Sequence, residues 1–265
     1  MKWLLRQDLC RNIMSLKFLF AVIGVTLVML LSNVEDLLVC IREDAGSVLY
    51  MFEMVTNGGW FFLLIFLLAA LVSSVGYCDD YSNGFLFFLI VRSDIKRYGK
   101  SKALSCFISA FLSVAAGILL SLFVLSLLLP LCNGDKEITD VTMLPYRKIL
   151  QEGNYILYFG VKTCLIAGGA SLWCMAGLLA SAYKPEPIYA VTAPLILNYV
   201  GGRFALLAPD FLNPDYVMIG FPLFRAGVSW QLTFLYSCFY IMAANMLLYI
   251  FFYRKVKQYV RGEVV

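Results

Sequence analysis

Acid pairs, isolated basic residues and cysteines are the groups in this 265-residue chain that could do chemistry. Three adjacent carboxylate pairs occur, Glu35/Asp36, Glu43/Asp44 and Asp79/Asp80. Neighbouring carboxyls can share general acid and base work, but only where their surroundings drive their pKa values apart. All three pairs fall outside the long apolar stretches, where such acids are solvated. Lys162 and Arg203 fall within apolar stretches instead. A charge in hydrocarbon is costly, so these two either face a cavity or a partner, or snorkel to the outer headgroups. The absence of histidine removes Ser-His and Cys-His hydrolysis, HExxH zinc binding and histidine-ligated haem. No GxxxxGK[ST] loop is present to cradle a nucleotide phosphate. The eight cysteines include no CxxC pair. Cys106, Cys164, Cys174 and Cys238 read as small packing residues, while Cys40 and Cys132 fall in outer loops where a disulfide could form. No catalytic, cofactor-binding or metal-ligating residue is assigned.

Hydrophobic residues make up 62% of the chain and charged residues 14%, with a mean hydropathy of +0.82. A soluble domain carries roughly 25% charge. The excess sits in blocks near the roughly 20 residues that cross hydrocarbon about 30 Å thick. The expected fold class is therefore an all-α integral membrane protein, a single transmembrane unit over 1–265. Six spans are expected, at 16–32, 59–76, 103–129, 155–182, 188–208 and 230–253. Residues 1–17 read as an amphipathic helix at the membrane surface. There Leu5, Leu9, Ile13 and Leu16 form the apolar side, and Gln7, Asp8, Arg11, Asn12 and Ser15 the polar one. Residues 209–229 mix proline, acid and aromatic residues, and read as a broken hairpin dipping part-way in from outside.

Basic residues orient the spans. With both termini cytoplasmic, 14 of the 21 Lys and Arg residues lie inside, five of them in the 78–102 loop. The net charge of +4 thus reflects membrane anchoring rather than a nucleic-acid partner. No acid falls in the expected spans, which counts against a proton- or ion-driven carrier.

The 78–102 loop carries the most specific pattern. Asp80-Tyr-Ser-Asn-Gly84 precedes an apolar run, followed by Arg92-Ser-Asp-Ile-Lys-Arg97 and then Lys102 at the opening of the third span. This resembles the cytoplasmic loop of permease subunits of type-two ABC exporters. In that family an acid, a glycine four positions on, a basic element and a lysine opening the next span occur in this order. The six spans, amphipathic start and half-membrane hairpin resemble that family over the whole chain. Asp80 stands where glutamate is commoner, and no proline precedes the basic element.

The resemblance implies a coupling helix over 84–91, docking in a groove of a separate ATPase. Its apolar contacts would come from Phe85, Phe87, Phe88 and Ile90, with Asp80, Gly84, Arg92, Arg97 and Lys102 completing the docking element. It also implies two copies of the ATPase, which would carry the ATP and magnesium, and a second permease as homodimer or related partner. The setting would be a bacterial plasma membrane, crossed several times with both termini cytoplasmic. Amphipathic or antimicrobial peptides are the cargo suggested by family analogy. The competing reading is an ATPase-independent secondary carrier or channel. A non-transport membrane protein would leave the 80–102 pattern without a reason.

Overall fold

The computed structural model describes residues 2–32, 34–43, 46–57, 60–132, 146–205, 209–219 and 228–262, which contain no strand. Four helical stretches are long and apolar enough to cross a membrane: Leu63–Ser82, Ile95–Leu128, Tyr155–Tyr183 and Trp230–Val260. The pair Lys2–Ile13 and Leu16–Leu31, bent by 54°, is a fifth candidate. These features are compatible with a multi-pass membrane protein.

The chain begins with α1 (Lys2–Ile13) and α2 (Leu16–Leu31). Ser15 separates them, its hydroxyl accepting from the Phe18 N–H as an N-cap. The segment expected to be an outer loop is largely helical, as α3 (Val34–Glu43) and α4 (Val48–Asn57). Val48, Leu49, Met51, Phe52 and Val55 of α4 are buried. Next come α5 (Trp60–Ser73), α6 (Gly76–Ser82), α7 (Phe85–Ser93) and α8 (Ile95–Leu128). The turn-rich loop expected at 78–102 is thus mostly helix, broken only at Asn83–Gly84 and Asp94. Gly84 adopts φ +70°, which a residue without Cβ tolerates. Asp94 takes φ 72° and ψ 145°, a region almost reserved for glycine, and so divides α7 from α8 at a local cost.

Helix α8 starts eight residues before the expected third span, and its 34 residues extend about 51 Å. Beyond it lie α9 (Arg147–Gln151), α10 (Tyr155–Tyr183) and α11 (Pro187–Ala205). A 3-10 turn (Asp210–Leu212), α12 (Pro214–Ile219) and α13 (Trp230–Val260) complete the order. The fifth expected span corresponds to α11, which is not among the sufficiently apolar helices. Asn198, Tyr199, Gly201, Gly202 and Arg203 dilute its apolar run. Of the expected hairpin, 220–227 lies outside the described residues.

The central element is α10, buried along most of its length. It gathers α8, α11, α13 and α5 around itself. Small residues permit the close approaches. A methyl added at Gly169 would overlap the Met218 thioether of α12, and one at Gly168 would come within 3.1 Å of Ile241 in α13. At Gly177 an added methyl would overlap the Ala190 carbonyl oxygen of α11, and Ser74 Oγ donates to the Cys174 carbonyl beside it at 2.9 Å. Gly177→Ala should therefore lower stability by about 1–3 kcal/mol, because a backbone oxygen cannot move aside as a side chain can. Gly160→Ala, which meets nothing within 4 Å, is the control and should hold or raise the unfolding midpoint in detergent.

Candidate functional site

Charge concentrates where α1, α6 and the start of α8 converge. Lys102 and Asp80 side chains are each 2% exposed, and Lys102 Nζ lies 2.6 Å from Asp80 Oδ2. The same ammonium donates to Asp8 Oδ1 at 2.8 Å. Arg11 Nη1 donates to Asp80 Oδ1 at 2.8 Å, and Arg11 Nη2 reaches the Gly76 carbonyl at 3.3 Å. Tyr98 Oη donates to Asp80 Oδ2 at 2.9 Å, and Ser101 Oγ donates to Asp8 Oδ2 at 2.8 Å. Every carboxylate oxygen in the cluster is satisfied, and its two acids balance its two cations. One turn along α1, Asn12 Nδ2 donates to Ser109 Oγ at 3.2 Å.

This packing departs from the expected orientation of α1. Leu4, Asp8 and Asn12 are its buried residues, so part of the supposed water-facing side is the packed side. An amphipathic pattern identifies two faces but not which one is packed, and here a polar surface on α8 receives the polar one. Asp80 and Lys102 are likewise corrected. They lie inside the fold, engaged with each other, rather than on a surface open to a docking partner.

Next to the cluster, α7 presents a hydrophobic face. Leu86 and Ile90 are buried against the body, which removes Ile90 from the expected docking set. Phe85, Phe87, Phe88 and Val91 point away, with Phe88 75% and Val91 89% exposed. The Arg92 guanidinium lies 5.1 Å from the Trp3 ring centroid. Arg97 joins Trp3, Leu4, Leu89 and Arg92 in lining a small notch between α1 and α7. The far end of the chain returns to this region. Tyr259 donates to Tyr81 Oη at 3.0 Å, and its ring lies 6.4 Å from that of Phe87. Both ends of the described chain therefore meet at one end of the helical bundle.

A second buried charge pair lies at the other end. Lys162 is 0% exposed, with Nζ 3.4 Å from Glu53 Oε2, and Tyr158 donates to Glu53 Oε1. Lys162 accordingly neither snorkels nor lines an open cavity. Its counter-ion comes from α4, 109 residues earlier. Asp80, within the candidate span Leu63–Ser82, corrects the expectation that no acid falls in a span, and Glu53 is a second buried acid, on α4. Arg203 is exposed, its guanidinium 5.5 Å from the Tyr199 ring centroid. Asp215 of α12 is half-buried and accepts from Asn198 Nδ2 at 3.2 Å. Burial raises its carboxyl pKa above the usual range, while the Asn198 hydrogen bond opposes that rise.

Among the described residues no group of three or more cysteine, aspartate or glutamate side chains is placed to hold a metal ion. No protein-family model, curated protein or solved structure matches this chain.

Lys102→Met should lower stability by about 3–5 kcal/mol, because it leaves two buried carboxylates facing one guanidinium. Adding Asp8→Asn, which restores neutrality, should recover part of that loss. A double-mutant cycle of unfolding free energies in detergent reads the coupling directly.

Proposed function

We propose that this chain is the membrane-spanning subunit of an ATP-driven exporter of the type-two ABC kind, with α7 as the element that docks on a separate ATPase. The observation carrying this reading is the phenylalanine face of α7, left uncovered while both ends of the helix are held by the fold. Isolated surface hydrophobics are ordinary, but Phe85, Phe87, Phe88 and Val91 lie together on one short helix. Such a helix suits a groove in a partner. Arg92 and Arg97 flank it with positive charge available to acids or headgroups.

The reading includes six crossings, with α11 as the fifth. Its support is the antiparallel return from α10. The turn before α11 is closed by Lys184 and Tyr189, whereas Gly202 near its other end meets Asp215 of α12. Six helices enclose little space for a translocation path, so a second permease copy or a related permease completes it. Nucleotide and magnesium belong to two copies of the ATPase. The proposed setting is a bacterial plasma membrane, with the α7 end cytoplasmic and an amphipathic or antimicrobial peptide as cargo. ATP-driven closure of the ATPase pair would reach the spans as rigid-body motion through α7.

Co-purification of the tagged chain from native membranes should recover a P-loop ATPase. Phe87→Asp with Phe88→Asp should abolish that association while the protein still inserts. Association unchanged by the double substitution would overturn the assignment of α7.

One observation favours a different reading, an ATPase-independent carrier: the buried Glu53–Lys162 pair, since buried ionisable side chains mark ion and substrate pathways in membrane proteins. Under that reading the purified chain moves cargo across proteoliposomes without ATPase or ATP, and Glu53→Gln stops it. Under the exporter reading the same vesicles show no transport, with or without the substitution.

A further inference from the structure

Cys164 of α10 and Cys238 of α13 face each other across the contact between those two helices. Their thiols lie within hydrogen-bond reach of one another. The register of the helices requires the same pairing. Gly168, four residues after Cys164, packs against Ile241, three residues after Cys238. Further along, Leu172 and Ala176 line one groove with Ala244 and Leu248. The two helices therefore run side by side in the same direction. One turn back from Gly168 and Ile241 along each helix arrives at the two thiols. Tyr146, buried just before α9, lies beside both of them.

Access separates this pair from the other cysteines of the spans. Cys106 and Cys174 also neighbour each other, but they are enclosed beside Ser73 and Ser74. Cys164 and Cys238 are both part-exposed. On α13 the Cys238 thiol borders Leu235, Phe239 and Met242, which are 69%, 70% and 59% exposed. These neighbours form a hydrocarbon-facing surface, so the opening is lateral. Cys164 is five residues, about 7.5 Å, from Gly169 at the middle of α10. A reagent for these thiols therefore arrives through the apolar phase of the bilayer. Each thiol also offers the other a hydrogen bond, the partner that a forming thiolate needs away from water.

We propose that Cys164 and Cys238 are a disulfide-forming modification site whose electron acceptor is a lipid-soluble quinone. One S–S bond forms as two S–H bonds break. Two electrons and two protons pass to the quinone, which leaves as the hydroquinone. A dithiol reverses the step by thiol–disulfide exchange and becomes a disulfide itself. The bond needs Cβ atoms about 3.5–4.5 Å apart, a separation that facing thiols on packed helices approach without a change of register. It fastens α13 to α10 one turn from the Gly168–Ile241 contact, so oxidised chains hold these two helices in one arrangement. The site is independent of the docking role of α7 and stands under either transport reading.

The test uses the full chain in phosphatidylcholine nanodiscs, first reduced and then exposed to decylubiquinone, whose fully substituted ring oxidises thiols without adding to them. Peptide mapping without reductant should show Cys164 joined to Cys238 with the loss of two hydrogens. One hydroquinone should appear per linked chain, and Cys106 and Cys174 should remain free thiols. A dithiol should restore both cysteines. The linked chain should unfold at a higher temperature than the reduced one. Cys164→Ser and Cys238→Ser should each remove both the link and that shift, and Cys238→Ala gives the same readout should a serine variant misfold. Three results would overturn the proposal: quinone consumed with no bond between these two cysteines, a bond joining Cys238 of two chains, or linking by water-soluble diamide but not by the quinone.

Discussion

Asp8, Arg11, Asp80 and Lys102 form a neutral cluster in which a single lysine ammonium touches two carboxylates from different parts of the chain. Removing charges from water is expensive, and such an arrangement survives only when every charge is paired and the remaining lone pairs are satisfied. Here Tyr98 and Ser101 supply the additional donors. The cluster joins α1, α6 and α8, whose charged members are as much as 94 residues apart in sequence. Helix α7 lies between two of these anchors. It begins shortly after Asp80 and ends shortly before Lys102, so the cluster holds both of its ends. Gly84 and Asp94 provide the sharp backbone changes that a short helix between fixed points requires. The exposed phenylalanines are therefore presented on a rigid support rather than on a mobile loop.

Much of the helical framework was legible in the amino-acid pattern because hydrophobic length alone specifies it. The expected spans at 155–182 and 230–253 agree closely with Tyr155–Tyr183 and Trp230–Val260. What escaped was polar packing. The stripe of Asp8 and Asn12 looks the same whether it meets water or Ser109 and Lys102, and only the tertiary fold decides. Lys162 was conspicuous, yet its partner Glu53 is remote in sequence. A signal was present there, since Glu53 is the sole acid in the run VLYMFEMVTN, an unusual composition for a solvated loop. The residues around 78–102 misled in another way. Their charges and turn formers suggested a loop holding one short helix at 84–91, but tertiary contacts override such local preferences and only three positions interrupt the helices.

The small-residue stretch of α10 has a mechanical consequence. Gly169 is the central residue of Tyr155–Tyr183, and at Gly168 and Gly169 the side chains of Ile241 in α13 and Met218 in α12 seat directly against the α10 backbone. A contact this close near mid-length gives α13 a pivot on α10. A tilt of α13 about Ile241 swings its Tyr259 end and its Trp230 end in opposite directions. A displacement of the Tyr259 end, which lies beside Phe87, would on this geometry carry the Trp230 end the opposite way.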